Sequence, residues 1–279
     1  MATRPVPALA DEVASVEWYH CLELAPGVVT PGHFDARPTV ARVPLPASLA
    51  GRRCLDVGTW DGFWAFEMER RGAAEVVAID IDDPDRWDWP PRSRLDGSAL
   101  GDSAFVGGFK SGNRGFEVAH RALRSSVRRL DLGVHQLSPE DVGRFDFVFL
   151  GSLLLHLRDP VGALAALRGV CAGEAVVADT VELFPTLLRP RTPTARLEAV
   201  DRPWWWLPNA AGLEQMARSA GFDVVERSGV YFLPLGPGHP RPRLERPLRT
   251  LLSAEGREQL VVRARRGIPH AAFRLRPLA

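Results

Sequence analysis

One stretch constrains this chain more than any other: Cys54-Leu55-Asp56-Val57-Gly58-Thr59-Trp60-Asp61-Gly62-Phe63-Trp64. An apolar run leads into a glycine-bearing turn. An amphipathic run follows over 65–71, and Val76-Val77-Ala78-Ile79-Asp80 then closes a second apolar run with an acid. Strand, glycine turn, helix and a strand ending in a carboxylate predict the nucleotide-handling half of a doubly wound α/β sheet. Glycine at 58 and 62 lets backbone approach a ligand closely or adopt positive φ. Asp80 stands where a carboxylate accepts from ribose hydroxyls.

The turn reads G-T-W-D-G, not G-x-G-x-x-G, and it has no P-loop lysine. Trp60 occupies the position where a pyrophosphate needs bare backbone. This argues against NAD and ATP and favours a nucleoside ligand without a phosphate, of which S-adenosylmethionine is the obvious case. The alternative is a plain β-α-β turn with no nucleoside. Asp56, Asp61 and Asp80 all sit where the ligand reading wants them.

At 279 residues and 46% hydrophobic, the chain can bury one large α/β core. A net charge of +1 supplies no global field to recruit nucleic acid or an anionic membrane. Cys21, Cys54 and Cys171 are too scattered for a disulfide framework or a zinc site, and the histidines and acids show no metal-ligand spacing. The start shows no signal-peptide pattern and no apolar run reaches membrane-spanning length, so a cytoplasmic protein is expected. No G-x-S-x-G elbow supports a hydrolase. No oligomeric state is read from the sequence.

Along the chain, a short helix is expected over 11–16. An arm follows over 18–35, either covering the mouth of the sheet or simply packed against it. A turn of helix is expected over 44–52. Strands are expected over 53–57, 75–80, 127–132, 145–150, 175–181 and 221–227, with a final edge strand over 270–276. Helices are expected over 62–71, 116–124, 160–171, 210–220 and 254–266, with Pro160 near the start of its helix as expected. Residues 82–115 are irregular and read as a lid or wall, or as a loop pinned by Trp87 and Trp89. Residues 234–247 read as linker. The expected organisation is an N-terminal arm (1–49) and a single α/β domain (50–279) with insertions at 82–115 and 183–206. Its sheet is mostly parallel and seven-stranded, with an antiparallel last strand.

At these positions the chain resembles the class I S-adenosylmethionine-dependent methyltransferases. The likeness rests on Leu55-Asp56-Val57-Gly58 with Gly62, on Asp80, on Phe145-Asp146-Phe147-Val148, and on Leu155-His156-Leu157-Arg158-Asp159-Pro160. It covers roughly residues 50–230. More narrowly it is similar to the enzymes that complete 5-oxyacetyl modification of wobble uridine in tRNA. Those share His156 to Pro160, and an arginine, aromatic run and proline corresponding to Arg202, Trp204-Trp205-Trp206 and Pro208. The turn, with Phe66-Glu67 and Arg71-Gly72-Ala73, also resembles bacterial methyltransferases of small-molecule pathways. The tRNA enzymes use a carboxylated donor held partly by a tyrosine where this chain has Leu155. The resemblance therefore implies ordinary S-adenosylmethionine and a transferred methyl.

The resemblance implies donor contacts from Asp56, Gly58, Thr59, Trp60, Gly62 and Asp80. It places adenine between Ile81 and Val134 with His135 or the backbone at 134–135 at its edge, and the methionine part near Leu150 and Gly151. An alcohol or phenol acceptor gains from a general base near working pH. His156 is the first candidate, with a purely structural role as the alternative; His20 and Tyr19 are the second. Trp18, Trp87, Arg202 and Trp205 are candidate acceptor contacts. The expected activity is methyl transfer to an oxygen (less so nitrogen or carbon) of a small molecule, as in natural product biosynthesis. The alternatives are a tRNA wobble-uridine methyltransferase and a non-catalytic S-adenosylmethionine-binding module. Ten arginines against three glutamates over 241–276 are either a phosphate track or a solvated face.

Overall fold

Val76-Val77-Ala78-Ile79 and Phe147-Val148-Phe149-Leu150 have no polar face, so both sides of these strands must be covered. The computed structural model describes residues 6–91, 113–199, 204–239 and 254–278. It resolves the demand with one seven-stranded sheet. The strands are β1 (Arg53–Val57), β2 (Glu75–Asp80), β3 (Arg128–Asp131), β4 (Phe145–Gly151), β5 (Cys171–Thr180), β6 (Phe222–Pro234) and β7 (Gly267–Pro277). Their spatial order is β3-β2-β1-β4-β5-β7-β6. β1 pairs in parallel with β2 and β4, β2 with β3, and β4 with β5. β7 is antiparallel to both its neighbours.

Side chains alternate between two layers. Leu55, Val57, Val148 and Leu150 pack on one face, under α4 (Pro160–Val170) and α5 (Ala210–Ser219), through Leu164, Leu167 and Leu213. Cys54, Phe147 and Phe149 pack on the other face. There they meet Ala65 and Met68 of α2 (Phe63–Arg70), Phe116 of α3 (Arg114–Leu123) and Trp18 of the arm. Cys54 and Cys171 are core residues, and burial lifts their thiols to about 12 and about 11. At this burial, truncating a ring such as Phe149 to alanine costs about 3–5 kcal/mol. Among the described residues no helix is long and apolar enough to cross a membrane.

Four local expectations need correction. The first helix is α1 (Val6–Ala14), earlier than 11–16. Residues 44–52 hold no helix, because Pro44 and Pro46 force their predecessors towards extended backbone. β6 runs on to Pro234; a register shift beside Gly229 (φ 68°) splits its pattern and hides the second half. The last strand is not an edge strand, since β7 lies between β5 and β6. The expected insertions are described only in part. Residues 92–112 and 200–203 lie outside the described residues, as do 240–253 of the expected linker.

Candidate active site

The strand order reverses between β1 and β4, and ligands of such sheets bind outside the carboxyl ends of strands at that point. A cavity opens there. Its first wall is the turn after β1. Gly58 takes φ 76° and Gly62 φ 93°. A Cβ at Gly62 would lie 2.4 Å from the Phe66 ring, so both space and conformation demand glycine. The Gly58 and Thr59 amides donate to Ile79 O at 2.9 and 3.1 Å. Asp80 completes the clamp, accepting from Trp60 N at 2.7 Å and from Ile81 N at 2.8 Å. The Asp80 carboxylate also lines the cavity, where its oxygens are acceptors for hydroxyls.

Trp60 has a left-handed backbone, φ 50°, which costs a non-glycine residue about 1–2 kcal/mol. Its ring lies 5.0 Å from Tyr19 and 5.9 Å from Trp87, and Trp87 stacks on Trp89 at 5.4 Å. The Trp87 indole donates to Ile81 O. The 87–89 segment is tied down where Trp205 Nε1 donates to Asp88 O and Arg158 N donates to its carboxylate. Opposite stand Ile81, Gly133 and Val134.

The arm reaches the turn through Asp61. This buried carboxylate accepts from the Tyr19 and His20 amides at 2.9 and 2.8 Å, and from His20 Nδ1. His20 also stacks on Phe63 at 5.3 Å. Tyr19 and His20 are thereby held facing the cavity. Burial, and then the charges of Asp179 and Asp61, raise the Tyr19 phenol well above its usual range.

The far end of the cavity is built from distant segments. Ser152 (φ 50°), just past β4, has its hydroxyl 3.0 Å from Nε2 of His270 on β7. The other ring nitrogen of His270 lies 3.0 Å from Ile268 O. Burial lowers the His270 ring to about 4. Asp179 at the end of β5 accepts from the Leu153, Leu154 and Thr180 amides. Burial raises Asp179 to about 7, and does the same for Asp56, which accepts from the Thr59 hydroxyl at 2.7 Å. Tyr231 and Leu233 of β6, Ala178 and Trp64 complete this end.

Of the residues singled out from sequence, Tyr19, His20, Asp56, Gly58, Trp60, Asp80, Ile81, Trp87, Val134, Gly151 and His156 line the one cavity. Thr59 and Gly62 shape its turn from behind. Four placements differ from expectation. Trp18 is 1% exposed, with its indole donating to Val13 O inside the core, because the residue before Tyr19 faces the opposite way. Leu150 is fully buried, because its side chain points into the α4 layer and only Gly151 beyond it reaches the cavity. His135 is exposed, because the 3₁₀ turn Val134–Gln136 directs it outward. Trp205 anchors the 87–89 segment and does not line the cavity. Arg202 lies outside the described residues. Sequence reasoning missed Ser152, Tyr231, Leu233 and His270. Only Ser152, next to Gly151, carried any local signal.

Comparison with known proteins bears on the whole arrangement. A model of the methyltransferase domain matches residues 35–227. The tRNA U34 carboxymethyltransferases of Alcanivorax borkumensis and Pseudomonas aeruginosa are 30% and 29% identical over 191 and 185 residues. Each alignment takes in 65% of this chain and 48% of the relative, so the chain spans about half the length of the curated relatives it matches. Among solved structures, the 1,6-didemethyltoxoflavin-N1-methyltransferase of Burkholderia thailandensis, with bound S-adenosylhomocysteine, is 14% identical with a TM-score of 0.49. That match covers 82% of this chain and 72% of the other. Since the methyltransferase-domain match takes in more than half of its length, the chain belongs to the class I S-adenosylmethionine-dependent methyltransferases, with S-adenosylmethionine as cofactor.

Proposed function

We propose that this chain transfers a methyl group from S-adenosylmethionine to an oxygen of a small-molecule acceptor, with nitrogen or carbon as less favoured targets. The observation that carries the reading is the make-up of the cavity. Its turn adjoins a chamber lined largely by apolar and aromatic groups, and no lysine or arginine lines it among the described residues.

When bound, the cofactor supplies an electrophilic methyl on a sulfonium cation. The residues present fit it. Gly58 presents bare backbone and the Asp80 carboxylate faces the cavity as an acceptor for ribose hydroxyls. Ile81 and Val134 offer apolar faces for a purine, and Gly151 leaves room for the methionine part. Tyr19, Trp60 and Trp87 exclude water, and that alignment and desolvation are the protein's main contribution to an in-line displacement. His156, half-buried on the cavity wall, is the proposed proton acceptor for the attacking hydroxyl. The arm, residues 1–49, acts as the cover that separates the acceptor from solvent.

The relatives named for tRNA U34 carboxymethylation favour a second reading, an RNA acceptor. Two observations weigh against carrying the carboxymethyl chemistry over. Leu155 is apolar and buried where the tRNA enzymes have a tyrosine, and the described lining offers no cation to a carboxylated donor. The test incubates purified protein and labelled S-adenosylmethionine with either total RNA or a metabolite extract of the source cell. Label in the metabolite fraction is expected. Label confined to RNA would establish the second reading.

A further inference from the structure

Asp61 fixes the polarity of His20. One of its carboxylate oxygens, Oδ2, accepts from the Tyr19 and His20 amides at 2.9 and 2.8 Å, and the other, Oδ1, faces His20 Nδ1. Two amide donors hold the carboxylate in its ionised form, which can only accept, so Nδ1 carries a ring proton. In the neutral imidazole the lone pair then stands on Nε2, on the far side of the ring. His20 is 7% exposed and lines the cavity, and among the described residues its Nε2 has no hydrogen-bond partner. A buried acceptor is costly to leave unmet, so this nitrogen is a place for a donor group on a ligand.

The neighbours of His20 lead to the space beside Gly151. The ring stacks on Phe63 at 5.3 Å, Phe63 meets Trp64 edge-on at 5.0 Å, and a Cβ at Gly151 would lie 3.5 Å from Trp64 Nε1. Asp56 is buried and also lines the cavity, with its carboxyl accepting from the Thr59 hydroxyl at 2.7 Å. Among the described residues no lysine or arginine pairs with Asp56 or Asp61 or lines the cavity. The cavity therefore offers a ligand cation both acceptors and uncompensated negative charge. From this geometry we propose that the Asp61–His20 pair is a donor-binding subsite, in which His20 Nε2 accepts a hydrogen bond from the α-ammonium group of S-adenosylmethionine. The proposal rests on the methyl-transfer reading of the same cavity. Because His20 belongs to the arm, the same contact ties the cover to the bound cofactor.

The test titrates the full chain by calorimetry with three probes: S-adenosylhomocysteine, its analogue lacking the amino group, and its analogue lacking the carboxylate. Wild type is expected to bind the deaminated analogue at least about tenfold more weakly than S-adenosylhomocysteine, the worth of a hydrogen bond to a charged group. His20→Asn keeps an N–H towards Asp61 and removes Nε2. It should weaken S-adenosylhomocysteine and the decarboxylated analogue alike by at least about tenfold, and leave the deaminated analogue within about twofold. His20→Gln, whose amide oxygen can stand in for Nε2, should bind S-adenosylhomocysteine at least about threefold more tightly than His20→Asn. A merely structural role would weaken all three probes equally. That outcome overturns this inference alone. So does a deaminated analogue that binds wild type as tightly as S-adenosylhomocysteine, or a loss in His20→Asn that follows the carboxylate instead of the amine. Failure of wild type to bind any of the three probes overturns the methyl-transfer reading and the subsite with it.

Discussion

The two ends of the cavity are built differently. At the donor end, Asp56, Gly58, Trp60, Asp80 and Ile81 come from a single strand-turn-helix-strand unit, closed by Gly133 and Val134. All of them lie within the stretch that matches the methyltransferase domain, 35–227. At the acceptor end, Tyr19 comes from the arm, Ser152 from the end of β4, Tyr231 and Leu233 from β6, and His270 from β7. Tyr19, Tyr231, Leu233 and His270 lie outside the matched stretch, whereas Ser152, Trp64 and Ala178 of the same end lie within it. The donor end is held by backbone hydrogen bonds within one local unit. The acceptor end is held by side-chain contacts between elements far apart in the chain. On the methyl-transfer reading proposed above, the donor end rests on local contacts and the acceptor end on long-range ones.

The largest effect that could break this contrast is expected at Asp61, the junction of the two ends. Asp61→Ala strips the partner from two amides and from the His20 ring, all of them partly or fully buried. Urea unfolding should show a loss of about 4 kcal/mol, as for other buried polar groups left unpaired. A loss below about 1 kcal/mol would mean that the arm is not held by this contact.

Next comes the pH dependence of the acceptor end. The folded His270 ring stays neutral down to about pH 4, whereas an unfolded histidine protonates near 6.5. Unfolded chains bind the extra proton between those values, so this group lowers stability as pH falls through that window, by about 3 kcal/mol in full. Asp56 and Asp179 act in the opposite sense, because their folded carboxyls hold a proton up to about 7 against 3.8 for the unfolded groups. Comparing wild type with His270→Gln isolates the histidine. Between pH 6.5 and 4, wild type should lose about 3 kcal/mol relative to the variant in denaturant melts. Parallel curves would show that the ring is not kept neutral by the fold.

Asp80→Ala should sharpen the contrast from the donor side. It removes two charge-assisted clamps on the turn and the proposed ribose contact. S-Adenosylhomocysteine affinity should fall about 100-fold by calorimetry, close to 2.7 kcal/mol. The Ser152–His270 contact, resting on other elements, should keep its geometry, visible as an unchanged His270 proton resonance. The smallest effect is expected on the outer face. Reversing charge at Arg263, Arg265 and Arg266 should alter transfer to a small molecule by less than about twofold, whereas an RNA acceptor would show a steep loss with strong salt dependence.

Most of the sheet was legible in the sequence because parallel strands buried on both faces read as uninterrupted apolar runs. β1, β2 and β4 fall almost residue for residue where those runs lie. β6 was legible only as far as its irregularity, since Gly229 at φ 68° interrupts the alternation on which the reading depends. The place of β7 was not legible at all. An antiparallel strand inserted between β5 and β6 has the same local pattern as one at the edge. In the cavity, Trp18 and Tyr19 show the limit most clearly. They are adjacent aromatics with equal claims, yet one is core and the other faces the ligand space.

The sequence by itself determined the donor turn. Positive-φ glycines, a short strand and a terminal acid are local demands, met by residues whose spacing can be counted. It also put Trp60 where a pyrophosphate would need bare backbone, which favours a phosphate-free ligand. Only the tertiary structure decided what faces the far end of the cavity. Ser152 and His270 are 118 residues apart and meet because β7 threads back beside β5. Tyr19 lines the same cavity because Asp61 holds the arm onto the turn. Hydrogen bonds of that kind depend on which elements become neighbours, and long-range adjacency leaves no periodic trace in the chain.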